Sequence, residues 1–219
     1  MEKKEAYKNI LPHFQQSGQA YFVTWVLRDA IPRKALYRYT QKLDLLKSQM
    51  EPYKNQNPKN EIFDELKLQY NLTRKKYIKA YDDLLAISEN TTIDLSKPEN
   101  LKILLGAIYY WEGKKVKSYA CCIIPNHIHW VFEVLKNDEE GNSIYLQDIL
   151  QSVKRHSARE INKGEGRTGS LWQKESFDTT IRDEKHLHYA VEYTLNNPVA
   201  AGLTTIRENW PGNILFGNY

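Results

Sequence analysis

Two adjacent stretches rich in β-branched and aromatic residues constrain the fold of this chain more than any other feature of its sequence. Residues 115–124 read KVKSYACCII, and residues 127–135 read HIHWVFEVL. Only Pro125 and Asn126 separate the two stretches, and both residue types favour tight turns. The pattern predicts a β-hairpin, and a hairpin requires that the sheet be at least partly antiparallel.

The order of the other elements predicts an α+β fold. Residues 20–27, AYFVTWVL, are typical of a strand, and a second short strand is expected at 177–181. Helical periodicity predicts helices at 144–163 and 184–196, and Pro198 is expected to end the second of them. This order predicts an antiparallel sheet with helices on one face. The tail that follows is expected to be packed coil.

A helical segment at about 34–97 interrupts this pattern after the first strand. It is dominated by Lys, Leu, Glu, Gln and Tyr, and two helices are predicted in it, at 34–50 and 61–87, joined by a polar turn. A third helix is expected at 99–111. No internal repeat is present, and we expect a single domain, residues 1–219, that carries this helical insertion.

Composition narrows the possible classes of protein. The 219 residues are 41% hydrophobic, carry a net charge of +4, and contain no apolar run of the ~20 residues that a membrane helix needs. The start, MEKKEAYKN, lacks the apolar core of a secretory signal, so we expect a cytoplasmic protein with no membrane partner. Cys121 and Cys122 are adjacent, which predicts neither a disulfide framework nor a cysteine-rich zinc site. The mildly basic charge permits nucleic-acid binding without requiring it.

His127 and His129 are the strongest candidates for chemistry. On a strand, side chains two residues apart project to the same face, so both imidazoles can reach one metal ion. The alternative is a pair of surface or hydrogen-bonded histidines. His186 and His188 have the same spacing, but they lie on a predicted helix, where residues two apart do not face each other, and we reject them as a metal pair.

Tyr193 and Asn197 lie four residues apart on the last predicted helix and therefore share a face. The amide oxygen of Asn197 suits Mg²⁺ or Mn²⁺. The phenol of Tyr193 is a possible nucleophile, which at a usual pKa of about 10 needs a base or a positive field to react. Taken alone, both residues also fit plain roles, a packed tyrosine and an asparagine at a helix end.

A basic stripe is predicted on the helix at 144–163. Arg155, Arg159 and Lys163 repeat every four residues, and Lys154 adjoins them. Such a stripe can hold nucleic-acid phosphates, which gives affinity without sequence reading. The alternative is an ordinary solvated helix face.

Five stretches of the sequence resemble one family. They are IIPNHIHWVFEV around the histidine pair, LPHFQQSGQAYFVTWVL at 11–27, AYDDLL at 80–85, ILQSVKRHSAREIN at 149–162 and SLWQKESFDTTIRDEKHLHYAVEYTLNNPVAAGL at 170–203. Together they resemble the single-tyrosine HUH transposases, and among these the REP-associated tyrosine transposases of bacteria. The resemblance covers nearly the whole chain.

The resemblance implies a ferredoxin-like fold and a role for each candidate residue. His127 and His129 match the metal-binding histidines, and Tyr193 matches the nucleophile, with Tyr189 as second choice. Asn197 matches the position of a third metal ligand, which is Gln in several relatives. Mg²⁺ or Mn²⁺ is the implied cofactor.

The implied activity is cleavage and transfer of single-stranded DNA near a hairpin, through a 5′-phosphotyrosine intermediate. Arg155, Arg159, Lys163 and Lys154 are the residues expected to contact that DNA. Two alternatives stay open: a DNA- or RNA-hairpin-binding protein without turnover, and a hydrolase that uses metal-activated water. The resemblance is compatible with a monomer or a homodimer.

Overall fold

The computed structural model describes residues 6–8, 12–14, 17–31, 35–53, 61–87, 91–174 and 176–217. The chain divides into two compact units. The first unit comprises Met1–Ala30 and Asn90–Tyr219, and the second unit comprises Ile31–Glu89. In chain order the elements are β1 (Ala6–Lys8), β2 (Pro12–Phe14), β3 (Ala20–Val26), α1 (Tyr37–Met50), α2 (Glu61–Ile87), α3 (Pro98–Tyr109), β4 (Val116–Ile124), β5 (His127–Val134), α4 (Leu146–Gly164), β6 (Phe177–Thr180), α5 (Glu184–Ala200) and β7 (Asn213–Leu215).

A five-stranded antiparallel sheet lies at the centre of the first unit, with strand order β6-β3-β5-β4-β7. The hairpin of β4 and β5 pairs Ile124 with His127 across the Pro125–Asn126 turn. Without β7 and without α1 and α2 of the second unit, the elements from β3 to β6 follow the order strand–helix–strand–strand–helix–strand of the ferredoxin-like fold. The predicted α+β class, antiparallel sheet and hairpin are therefore confirmed. β1 and β2 form a separate two-stranded sheet.

The two faces of the five-stranded sheet are covered by different helices. On one face, Leu195 of α5 belongs to the same buried cluster as Val131 of β5. On the opposite face, the ring of Trp25 contacts that of Trp172, with 6.4 Å between centroids, and Nε1 of Trp172 donates a hydrogen bond to Oγ of Ser157 in α4. The expectation of helices on one face is therefore corrected. Periodicity shows which side of a helix is buried, but not which face of the sheet covers it.

The last helix continues past the residue that was expected to end it. α5 runs to Ala200 with Pro198 inside it. Proline lacks the N–H that would bond to the carbonyl of Thr194, but this loss falls in the last turn of the helix. The N–H of Ala201 still bonds to the carbonyl oxygen of Asn197 at 2.9 Å, and Pro198 is buried against the rest of the unit. Asn197 is consequently helical and lies one turn after Tyr193.

The tail is not plain coil, because Asn213–Leu215 forms the edge strand β7 beside β4. A strand of three residues is too short to produce a recognisable period in the sequence. Two contacts hold the tail in place. Nε1 of Trp210 donates to the carbonyl oxygen of Ile123 at 2.8 Å, and the backbone of Gly212 approaches the same carbonyl so closely that a side chain would not fit.

The second unit contains the two predicted helices, α1 and α2, and a short 3₁₀ turn that follows α1. α1 buries Leu43 and Leu46, and α2 buries Tyr77 and Tyr81. The ring of Tyr77 contacts that of Tyr39 with 6.4 Å between centroids, so aromatic packing joins the two helices. The polar turn predicted between them lies outside the described residues. Among the described helices, none is long and apolar enough to cross a membrane.

Candidate functional site

The histidine pair lies on β5, where the strand faces α5. His127 and His129 are 3% and 1% exposed. Their Nε2 atoms are 3.0 Å apart, and the ring centroids are 4.6 Å apart. The alternation of side chains along β5 places both rings on one face, as the spacing predicts. The two imidazoles therefore present two nitrogen atoms to a single point.

The other nitrogen of each ring is held by a neighbouring side chain. Nδ1 of His127 lies 2.7 Å from Oδ1 of Asn126, and Nδ1 of His129 lies 2.7 Å from Oγ1 of Thr24. Thr24 is the β3 residue paired with His129 in the sheet. Partners of this kind fix the orientation and tautomer of metal-binding histidines. Sequence reasoning assigned no role to Thr24 and read Asn126 only as a turn residue.

Both imidazoles are held in the neutral form. Burial lowers the pKa of His127 to about 3. Burial, together with the neighbouring His127, lowers the pKa of His129 well below its usual value. Neutral imidazole is the form that binds a metal ion.

The proton positions determine what the pair can bind. If both Nδ1 atoms carry the proton, two Nε2 lone pairs lie 3.0 Å apart and would attract a cation. If His129 carries its proton on Nε2, that proton bonds to His127, and the hydroxyl of Thr24 donates to Nδ1. In that second tautomer the pair is satisfied without a metal, and a shift of the His129 proton from Nε2 to Nδ1 would open both Nε2 atoms to a metal ion.

Tyr193 of α5 reaches the same point of the sheet. Its ring lies edge-on to that of His129, with 5.4 Å between centroids, and edge-on to that of Phe22, at 5.7 Å. Phe22 in turn stacks on His129 at 5.3 Å. Tyr193 is 44% exposed, so its ring joins the buried histidines to the surface. Phe22 is a site residue that sequence reasoning missed, since only the pairing of β3 with β5 brings it beside His129.

Asn197 adds a polar atom on the same helix. Its Oδ1 is buried and has no hydrogen-bond partner among the described residues. A buried oxygen without a partner costs free energy, and such atoms are rare in folded proteins. This oxygen lies one helical turn after Tyr193. It can bind a group from outside the described protein atoms, such as a metal ion.

These residues fit a divalent metal ion. The two Nε2 atoms are 3.0 Å apart, close enough for both to bind one ion. Within the described residues, no group of three or more His, Cys, Asp or Glu residues comes together as metal ligands. A third protein ligand would therefore be a neutral oxygen such as Oδ1 of Asn197.

Tyr189, the second choice of nucleophile, has different neighbours. Its ring is 61% exposed and contacts that of His188 at 6.2 Å, and the ammonium of Lys185 lies 5.9 Å from its centroid. The contact with the histidine pair thus belongs to Tyr193. His186 lies in the first turn of α5, where its N–H donates to Oδ1 of Asp183, which confirms that the second His-x-His is helical.

The basic stripe lies on α4, which covers the opposite face of the sheet from the histidine pair. Arg155 and Arg159 are exposed and line a cleft of about 410 Å³ with Trp111. Lys163 is exposed near the end of the helix. Lys154 instead donates to the carbonyl oxygen of Gln173 at 2.9 Å and to Oγ of Ser176 at 3.1 Å, so its ammonium holds the loop before β6.

Comparisons with known proteins agree with the motifs. No family model matches the chain. Over 104 residues, covering 46% of the chain, it is 29% identical to a curated protein of Haemophilus influenzae named as a REP-associated tyrosine transposase. The chain spans 59% of the length of that relative. A solved structure of a REP-associated tyrosine transposase bound to a REP hairpin aligns with 97% of this chain and 82% of its own, at a TM-score of 0.44 and 15% identity. The sequence comparison confirms the resemblance read from the motifs.

Proposed function

We propose that this chain is a metal-dependent endonuclease and strand transferase of single-stranded DNA, a transposase that acts beside DNA hairpins. One observation carries the proposal: the ring of Tyr193 lies 5.4 Å from that of His129, whose Nε2 is 3.0 Å from Nε2 of His127. A phenol beside a two-nitrogen metal site supplies both a nucleophile and a place for an ion that activates a phosphodiester. The likeness to the Haemophilus influenzae protein supports DNA as the substrate.

His127, His129 and Asn197 are the residues that would hold Mg²⁺ or Mn²⁺. When bound, the ion would neutralise charge on the scissile phosphate and make its phosphorus more electrophilic. Thr24 and Asn126 keep the two imidazoles aimed at this position. Phe22 shields one side of His129 from water, which strengthens electrostatic interactions at the site.

In the proposed reaction, Oη of Tyr193 attacks the phosphorus in line with the 3′-oxygen. The new bond joins tyrosine to a 5′-phosphate, and the bond from phosphorus to the 3′-oxygen breaks. The phenolic proton ends on the departing 3′-oxygen, which leaves as a hydroxyl. Since one phosphoester replaces another, the step is reversible and needs no ATP. A second 3′-hydroxyl can then attack the phosphotyrosine and be joined to the DNA, which is strand transfer.

The hairpin would be held chiefly by charge. Arg155, Arg159 and Lys163 present exposed cations along α4 that can neutralise backbone phosphates. Because α4 and the histidine pair lie on opposite faces of the sheet, the DNA would contact the first unit at two separate places.

Labelled DNA distinguishes this activity from its alternatives. Single-stranded DNA carrying a REP hairpin is incubated with the protein and Mn²⁺, and the products are separated on a denaturing protein gel. DNA labelled at its 3′ end should give a protein-linked band, and DNA labelled at its 5′ end should give a shorter free fragment. EDTA and Tyr193→Phe should abolish both products, while the matched control Tyr189→Phe should retain them.

Each other outcome supports a different function. Cleavage without a protein-linked fragment would indicate hydrolysis by water. Hairpin binding without cleavage, under either metal ion, would indicate a binding protein that lacks turnover.

A further inference from the structure

The outward side of α2 carries a repeat that the packing of the second unit does not use. Six exposed residues follow one another along this side at alternating spacings of four and three. They are Glu61, Glu65, Leu68, Leu72, Lys75 and Lys79. We name these residues the outer stripe of α2. Spacings of four and three are those of the seam between two helices in a coiled coil. The tyrosines that α2 buries lie on its other side.

The centre of the outer stripe is apolar. Leu68 is 59% exposed and Leu72 is 50% exposed. Single exposed leucines are common on protein surfaces. Here, however, two lie one turn apart at the middle of a seam pattern, with acidic residues on the N-terminal side and basic residues on the C-terminal side.

The charges of the outer stripe complement the same stripe in a second copy when the two helices run antiparallel. A twofold axis level with residue 70 places Glu61 opposite Lys79, Glu65 opposite Lys75, and Leu68 opposite Leu72. Asp64 and Lys76, both exposed and beside the stripe, also come opposite one another. A parallel pairing would instead set like charges against like.

We propose that the outer stripe of α2 binds the outer stripe of a second copy of this chain, forming an antiparallel, twofold-symmetric pair. In such an interface every contact occurs twice, so four Glu–Lys pairs flank two Leu–Leu contacts. The paired region spans 18 residue steps, about 27 Å of helix. Self-association through α2 does not depend on strand transfer, because none of these residues lies in the first unit.

Two contacts within one chain compete with this pairing. Nζ of Lys79 lies 3.0 Å from Oδ2 of Asp83, and Oε1 of Glu65 accepts a hydrogen bond from Gln69. Both contacts are exposed and involve neighbouring turns of one helix, where such pairs contribute little. Because exposed ion pairs are weak and screened by salt, the dimer is expected to dissociate on dilution and at high ionic strength.

Charge reversal tests the geometry directly. The full-length protein is examined by sedimentation velocity across a wide concentration range, at low and at high salt. Glu61→Lys with Glu65→Lys makes the stripe basic throughout, and Lys75→Glu with Lys79→Glu makes it acidic throughout. Each double variant alone should self-associate at least about tenfold more weakly than the wild type, since four attractive pairs become repulsive. An equimolar mixture of the two variants should form a heterodimer.

Further proteins separate surface position from net charge. The variant with all four reversals should regain self-association, because its stripe is again self-complementary in the antiparallel pairing. Asp44→Lys with Glu139→Lys changes the net charge by as much as the basic variant, at exposed positions away from the stripe, and should associate like the wild type. Circular dichroism establishes that each variant keeps its helices.

Two results would overturn the proposal. A wild-type protein that stays monomeric at every concentration in low salt would show that the stripe is solvated or has a different partner. A wild-type dimer with no heterodimer in the mixture would place the dimer interface elsewhere on the chain.

Discussion

The hydrogen bond between Thr24 and His129 offers a direct test of how the histidine pair is held. Thr24 is 5% exposed, and its Oγ1 lies 2.7 Å from Nδ1 of His129. Thr24→Val keeps the branched shape and removes only the hydroxyl. A buried Nδ1 would then lose this partner, which should lower the free energy of unfolding by about 1–3 kcal/mol. Because the imidazole would also be less well oriented, Mn²⁺ affinity should fall about 10- to 100-fold.

Two measurements check this expectation. Urea unfolding in EDTA gives the loss of stability, and isothermal titration with Mn²⁺ gives the affinity. Thr179→Val is the matched control, since Thr179 lies on the neighbouring strand β6 and is exposed. Both quantities should be unchanged in this control. If Thr24→Val binds Mn²⁺ as tightly as the wild type, then Thr24 does not orient a metal ligand, and the proposed site is wrong in this respect.

Three further variants address the third ligand, the DNA contacts and the pH dependence of stability. Asn197→Ala should weaken Mn²⁺ binding about tenfold. It should change the free energy of unfolding in EDTA by less than about 1 kcal/mol, since the buried Oδ1 has no described partner to lose. An unchanged Mn²⁺ affinity would remove Asn197 from the site. Arg155→Gln with Arg159→Gln should weaken hairpin binding and lower the slope of log affinity against log salt by about 2, measured by fluorescence anisotropy; an unaltered slope would mean that neither arginine contacts a phosphate. Burial acts to raise the pKa of Asp29, but hydrogen bonds from Thr92 outweigh burial and hold that pKa below its usual value of 3.8. A carboxylate with a depressed pKa stabilises the fold above its unfolded pKa and loses that effect as the pH falls. Asp29→Ala should therefore lower the free energy of unfolding at pH 7 by less than about 1 kcal/mol, because the carboxylate is partly exposed to solvent. The difference should shrink below about pH 4 in urea titrations, and a constant difference would contradict this.

The parts of the site that the sequence predicts are those set by local geometry. His127 and His129 share a face because strand side chains alternate, and β5 is a strand because of its β-branched and aromatic residues. Tyr193 and Asn197 share a face because they are four residues apart on a helix. Neither inference requires knowledge of which elements pair.

Contacts between elements were not predictable in the same way. Phe22 and Thr24 approach His129 only because β3 pairs with β5 in one particular register. A shift of that register by one residue would turn both side chains to the opposite face of the sheet, which carries Trp25 and Trp130. A hydrophobic pattern in a single sequence shows that a strand is buried, but it does not specify its neighbour, so these two residues carried no signal of function.

Pro198 shows how local and tertiary effects combine at this site. Local chemistry disfavours helix before a proline, which would leave Asn197 at a frayed helix end. In the folded protein, Pro198 is buried and the final turn closes around it, so Asn197 keeps helical geometry. Its amide oxygen is then held in a buried position without a described hydrogen-bond partner. The residue that weakens the helix is thus buried in its last turn, and the buried oxygen of Asn197 lies one turn after the tyrosine. An unpartnered polar atom held in place by packing is the kind of local cost that folded proteins accept at functional sites.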